Sequence, residues 1–536
     1  MFPVNVSKLI GVALAFIGTT LPALGFSASG RGDYHTLYEG QSVDDLVIKF
    51  MEENNIPGLS LAIVQAPYIT RVVGYGLADT QTKRLVATNT VFNIGQLTNA
   101  YTAVAVMQLK EEGKLQLDHS LSDYLPDAGI PQKWQAITIR DLLTHSSGLP
   151  SYTEASGFDF SKDYTSAQII ALIKNKELLY APGTQTSNSA TDFFLLGLII
   201  EKTSGMSYQD YVIRNQIERI GLKHTFFISN QNTIKNEVNN ETSPFKHSEF
   251  LKNAEMINPA EPALGYKEVN GINAAEKPLS WSSNFSNSGI MASSADVSTW
   301  DIALAGDMLL KDPEDRKFLY NPVTLKNGKV VPGNSGWFFP GHKGMMEIKG
   351  NIPGYSSFLS RFTAPTELVC VTLLVNKGDV ADLDILGRKI AGAFDKQLAA
   401  PMGAAWSETI QSPYSVKDTL DRVEAIIKSQ GGKVFARIDH SGEATKAGET
   451  LQDTQVLVIG NPKKGTALMQ ANPAMALDLP FRIMATTGPG GQTWLSFTNP
   501  VKLAKAYYVG DPKQMDLLKQ MGAALNKVCQ KAVSPY

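Results

Sequence analysis

The chain has 536 residues, with 49 Lys and Arg against 51 Asp and Glu, and 43% of it is hydrophobic. That composition belongs to folded protein and excludes a disordered chain. The near-neutral balance argues against a basic nucleic-acid binder and against a polybasic membrane-surface protein. The length predicts about two to four domains. With 44 Gly and 27 Pro and no short-period repeat, collagen-like chains, solenoids and propellers are also excluded.

The N-terminus carries the first readable signal. Lys8 precedes an apolar run from Leu9 to Leu24, and Ala23 and Gly25 put small residues at the −3 and −1 positions of a cleavage site. This is the pattern of a secretory signal peptide over residues 1–25. The run is shorter than the roughly 20 residues a spanning helix needs, and no Cys follows it to take a lipid. The expectation is an exported protein, periplasmic or secreted, with no stable membrane span after cleavage. The two cysteines, Cys370 and Cys529, fall in an apolar strand and in a C-terminal helical segment, and are expected as separate buried thiols. The seven His are scattered, so neither a metal nor a cofactor is expected.

In chain order, Gly58–Val64 reads as a strand and Arg71–Gly76 as its hairpin partner. Ala100–Glu112 is a helix closed by Gly113, and Thr191–Thr203 is another ending at Gly205. Residues 228–288 are polar and Asn-rich and read as a long irregular excursion. Tyr355–Phe362 and Glu367–Asn376 are expected to pair as strands, with a closing helix over Ala381–Leu398. Strands at both ends with helices between them predict an α+β domain over residues 40–398, its single sheet built from distant parts. Ala399-Ala400-Pro401-Met402-Gly403 opens a linker assigned to 399–411. Residues 412–536 then predict a second, small α+β domain. Its expected elements are a helix Val416–Gln430 stopped by Gly431-Gly432, strands at 433–438, 455–459, 481–486 and 493–497, and a final helix Asp511–Lys531.

Several phrases of the first domain occur in the order of a known family. They include Ile56-Pro57-Gly58-Leu59, Gly74-Tyr75-Gly76-Leu77-Ala78-Asp79, Phe92-Asn93-Ile94-Gly95, Leu142-Leu143-Thr144-His145-Ser146-Ser147-Gly148-Leu149-Pro150 and Pro353-Gly354-Tyr355. On these the chain resembles the serine β-lactamase and penicillin-binding protein superfamily, closest to its class C β-lactamase, DD-peptidase and esterase branch. The resemblance runs from about Leu46 to Asn376. It implies a β-lactamase/transpeptidase-like fold, an antiparallel sheet plus a helical lobe, with the active-site cleft between them.

The chemistry of the family does not carry over. The resemblance implies a Ser-x-x-Lys motif after Phe-x-Ile-Gly, with Ser as nucleophile and Lys helping to remove its proton. Here the stretch reads Gln96-Leu97-Thr98-Asn99. An amide is a poor nucleophile and neither Gln96 nor Asn99 is a base near neutral pH. The family's Tyr-x-Asn falls on Asn188-Ser189-Ala190, so both functional residues are replaced. Its third motif, Lys-Thr-Gly or His-x-Gly, fits in two registers, Ile348-Lys349-Gly350 or His342-Lys343-Gly344. The other Ser-x-x-Lys, Ser243 to Lys246, has Pro244 inside the spacing, which works against a helical Ser–Lys pair. His145-Ser146-Ser147 has the look of a dyad but matches a structural phrase of the family. A second resemblance covers the C-terminal domain. Val434–His440, Leu457–Pro462, Gly465–Met469 and Ala476–Pro480 match a bacterial domain-of-unknown-function family, number 302 in that series. Asp439, His440, Asn461 and Asp478 are its polar residues, and turn and cap chemistry is the expected role.

The reading is therefore a serine hydrolase-like protein expected to be a pseudoenzyme, with no catalytic set. Gln96, Asn99, Asn188, Lys349 and Gly350 are the candidate binding residues for a peptidoglycan fragment or another peptide-like ligand. Neutral amides offer both donors and acceptors to such a ligand, and Lys349 would meet a carboxylate if directed into the cleft. The alternative is an active hydrolase of the β-lactamase, DD-peptidase or esterase type with a displaced nucleophile, Thr98 or Ser189.

Overall fold

A computed structural model describes residues 37–230, 262–331, 333–339, 346–363, 368–395, 398–399, 407–488, 491–506 and 511–534. The signal-peptide stretch, Ser243–Lys246 and His342–Gly344 lie outside these residues.

The first domain is built on an eight-stranded sheet. Its strands are β1 (Gly58–Gln65), β2 (Tyr68–Asp79), β3 (Arg84–Leu85), β4 (Gly333–Asn334), β5 (Trp337–Phe338), β6 (Met346–Ile352), β7 (Tyr355–Thr363) and β8 (Leu368–Val375). The order is β4-β5-β6-β7-β8-β1-β2-β3, so the hairpin near the N-terminus completes a sheet begun 300 residues later in the chain, as Leu61 opposite Leu373 shows. Both faces are covered. On one face lie α1 (Val43–Glu53) and α6 (Leu383–Phe394), which share a core with Leu59, Leu61, Ile63, Phe358, Val371 and Leu373. On the other lies the helical lobe, with α2 (Thr98–Glu111), α3 (Ala190–Ser204), α4 (Trp281–Ser288) and α5 (Ser294–Ala305). Ser60 bonds Ser294 and Ser298 bonds Thr372 across that second face. Arg361 and Asp301 form a buried bidentate pair beside them.

α2 and α3 are buried nearly all round, from Thr98 to Leu109 and from Ala190 to Ile200. Helices of that kind belong in the centre of a domain rather than on its surface. Gly205, at φ 72°, ends α3 in the left-handed conformation. The expected irregular excursion is corrected where it can be seen. It contains a hairpin, Tyr266–Val269 with Ile272–Ala275, and the helix α4. The polar run of α4 hid it, because Ser283, Asn284, Ser286, Asn287 and Ser288 are buried and satisfy one another and their neighbours instead of facing water.

The C-terminal domain is a five-stranded antiparallel sheet. Its strands are β9 (Ser407–Ser412), β10 (Lys433–Asp439), β11 (Thr454–Gly460), β12 (Phe481–Thr487) and β13 (Thr493–Thr498), in the order β9-β13-β12-β11-β10. Strand β9 begins inside the stretch expected as linker, a correction to that reading. α7 (Val416–Ser429), α8 (His440–Lys446), α9 (Pro500–Ala506) and α10 (Pro512–Val533) belong to the same domain, as do the helix Pro462–Ala471 and the 3₁₀ turn Pro473–Leu477. Val416, Leu420 and Val423 of α7 and Leu525, Val528 and Cys529 of α10 share its core with Leu457, Ile483 and Leu495. Cys370 and Cys529 are free and buried in different domains.

Candidate functional site

Gly95, at φ 54°, turns the chain into a short 3₁₀ turn, Gly95–Leu97, which leads directly into α2. Gln96 sits on that turn, where the resemblance would put a nucleophile. Its side chain is committed to β6. The Asn351 N–H donates to Gln96 Oε1 at 2.7 Å, and Gln96 Nε2 donates to the Asn351 carbonyl at 3.3 Å. The Gln96 carboxamide thus pairs with the strand as another strand would. Gly350 permits this approach. A Cβ at that position would lie 2.6 Å from the Ile94 oxygen and 3.0 Å from the Gln96 nitrogen. The close contact favours the register Ile348-Lys349-Gly350 for the third motif, and it leaves apolar Ile348 at the motif's basic position.

The remaining candidates separate. Asn99 is 2% exposed, its Oδ1 has no hydrogen-bond partner, and Gly336 of the β4–β5 turn lies directly over its Cβ. Asn188 is exposed, just before Ser189, the N-cap residue of α3. Lys349 does not face the cleft, which corrects that expectation. Residues alternate along a strand, so Ile348 and Gly350 face the helical lobe while Lys349 faces α6. There its Nζ meets Asp384 at 2.7 Å and Glu347 at 3.6 Å. Burial pulls the Lys349 ammonium down, but Asp384 and Glu347 more than offset this, and the net shift is upward.

Among the described residues, neither surviving hydroxyl is hydrogen-bonded to a base. Thr98 is fully buried and its Oγ1 accepts the Ile290 N–H at 3.3 Å. Ser189 is 1% exposed, and its Oγ has no hydrogen-bond partner. The nearby His145 Nδ1 meets Asp192 at 2.8 Å, and Ser147 donates to the same carboxylate at 2.5 Å. The Ser189 amide approaches that same ring nitrogen at 3.4 Å, which places Ser189 on the Asp192 side of the imidazole. Burial raises the Asp192 carboxyl, and the bonds from His145 and Ser147 offset part of that. This is a buried polar network that fixes the turn from Thr144 to Leu149 against α3. Among the described residues, no group of three or more His, Cys, Asp and Glu side chains could hold a metal.

Sequence reasoning missed Asn351, which supplies the strand's hydrogen bonds to Gln96. The signal was available, since Asn351 follows the motif glycine and a strand shows the same edge at every second residue. In the C-terminal domain, Asp439 N-caps α8 through the Gly442 N–H at 2.9 Å. Asn461 directly precedes the helix Pro462–Ala471, and Asp478 is the C-cap residue of the 3₁₀ turn Pro473–Leu477, its backbone N–H donating to the Met475 carbonyl.

The Beta-lactamase family model matches residues 43–393. The chain belongs to that family. This β-lactamase-related chain also matches the model for Domain of unknown function DUF302 over residues 408–532. Among curated proteins it is similar to Protein flp of Staphylococcus aureus (strain MW2), 25% identical over 327 residues, 60% of either chain. It is also similar to Penicillin-binding protein 4* of Bacillus subtilis (strain 168), 25% identical over 295 residues, 54% of this chain and 61% of that one. The chain thus spans about 60% of the length of these relatives. Among solved structures, the octameric penicillin-binding protein homologue from Pyrococcus abyssi aligns with TM-score 0.53 and 19% identity, over 85% of this chain and 89% of that one. FmtA from Staphylococcus aureus aligns with TM-score 0.51 and 18% identity, over 67% and 87%. These likenesses are of fold.

Proposed function

We propose that this chain is an exported, non-hydrolytic member of the Beta-lactamase family that binds a peptide-like ligand, such as a peptidoglycan fragment, along β6. The observation that carries the proposal is the Gln96 carboxamide seated on the N–H and C=O of Asn351. It supports both halves of the reading. The side chain at the nucleophile position is unreactive, and it occupies a strand N–H aimed at the start of a helix, where an acyl enzyme would need a free donor for the developing oxyanion. The same contact supports the ligand half, because an amide group seated on the strand edge is the unit a peptide presents when it adds to a sheet. The similarity to proteins named as penicillin-binding supports peptidoglycan fragments as the first ligands to test, and the apolar run after Lys8 supports export.

The purified protein is expected to leave nitrocefin intact. Calorimetric titration with D-Ala-D-Ala peptides and muropeptides is expected to show saturable sub-millimolar binding. Gln96→Ala should tighten it, because the Asn351 N–H and C=O become free. Robust nitrocefin turnover would overturn the non-hydrolytic reading. Absence of binding across the panel, in both native and Gln96→Ala protein, would overturn the ligand reading.

A further inference from the structure

The back of β6 meets the C-terminal domain through a group of buried charges. Arg388 of α6 is fully buried and belongs to both domains. Its guanidinium lies 4.6 Å from the Phe362 ring centroid in the first domain and 5.5 Å from that of Trp494 in the second. It also donates to the Gln411 side chain of β9, the residue that opposes Trp494 across β9 and β13. Its carboxylate neighbour is Glu347 of β6, at 3.6 Å. Glu347 is 1% exposed and neither carboxylate oxygen has a hydrogen-bond partner. A buried carboxylate in that state is costly unless cations compensate it.

Both sides of the seam add charge. β6 contributes Glu347 and Lys349, and α6 contributes Asp384, Arg388 and the residue before its first turn, Asp382. From the C-terminal domain, Glu408 of β9 and Lys502 of α9 act on Asp382, and Asn499 donates to Glu408. Four carboxylates thus stand with three cations at the seam, where Glu347, Asp384 and Arg388 are buried and Lys349 and Lys502 reach water.

We infer that this seam is an acid-closed latch, in which the C-terminal domain grips Arg388 firmly while Asp382 and Glu347 hold protons and loosens as these two ionise. Burial, with Asp384 and Glu408 adding to it, raises Asp382 to about 7, against partial relief from Lys502 and Lys349. Burial likewise raises Glu347, and Lys349 and Arg388 offset part of that. Burial pushes Arg388 down to about 10, with Glu347 and Asp384 opposing the shift, so Arg388 keeps its charge through the neutral range. The sign follows directly. A carboxyl raised in the docked state binds more protons there than when freed into water. Docking is therefore favoured below its docked value and weakens as pH rises toward it, about tenfold per pH unit for one linked proton. Above that value the penalty is complete and the dependence ends.

Small-angle X-ray scattering of the full chain tests the latch. The native protein should be compact at about pH 5 and show a longer maximum dimension at about pH 8, because the proton-linked docking energy is lost between them. Asp382→Asn should stay compact at both, since Asn is uncharged and tolerates the left-handed backbone (φ 62°) at this position. Gln411→Ala, which removes a grip on Arg388 from the C-terminal side, should lengthen the particle already at the lower pH. Identical native profiles at the two pH values would overturn the proposal, as would an Asp382→Asn variant that lengthens like the native chain.

Discussion

Asn99 stands where the family resemblance puts a lysine. It lies under the β4–β5 turn at 2% exposure, with an oxygen that finds no donor. Gly336 can sit there because it has no side chain and adopts φ 84°, and any Cβ on it would meet the Asn99 Cβ at 2.9 Å. A lysine in place of Asn99 would have to bury an ammonium where the native side chain is 2% exposed and leaves its oxygen unbonded. Asn99→Lys is therefore expected to lower unfolding stability by at least about 2 kcal/mol in a urea titration. Adding Gln96→Ser should not restore turnover of a cephalosporin, because Ile348 and Asn188 still stand at the other two motifs. An Asn99→Lys protein as stable as the native one would contradict this account of the pocket.

At the scale of elements, the sequence was legible wherever one periodicity governed. Gly58–Val64 and Leu368–Val375 carry near-continuous apolar runs, and both are interior strands covered on both faces. Helix α4 was not legible, because its Ser and Asn side chains are buried in a hydrogen-bonded group and imitate a loop. Strand β9 was missed because Ser407-Glu408-Thr409 reads as polar linker, while only Ile410, Gln411 and Ser412 are buried. Of the candidate site, the replacement of both Ser-x-x-Lys residues was legible from the flanking phrase. The direction of Lys349 was not, since the choice of face depends on where α6 packs. Asp439 is legible in both lights. Its oxygen satisfies an orphan N–H at the start of α8, and losing such a cap costs about 1 kcal/mol. Asp439→Ala should lower the melting of the C-terminal domain by that amount while leaving ligand binding in the cleft unchanged. A change in binding with unchanged stability would assign Asp439 to a site instead.

The whole molecule brings two sheets together across helix α6, whose Arg388 meets both domains. The front of β6 holds Gly350 against Gln96, and its back holds Glu347 and Lys349 against the helix that the C-terminal domain grips. The first domain keeps the Beta-lactamase family's architecture at full core density, with Trp134, Trp300 and Trp337 wholly buried. On the proposed reading, a carboxamide bound to Asn351 stands at the start of α2 where the family resemblance puts a nucleophile. The measurement that tests this most directly is intact-mass spectrometry of the purified protein after prolonged incubation with excess benzylpenicillin. The account predicts a mass unchanged from the untreated protein, and a stable increase by one penicilloyl group on any serine or threonine would contradict it.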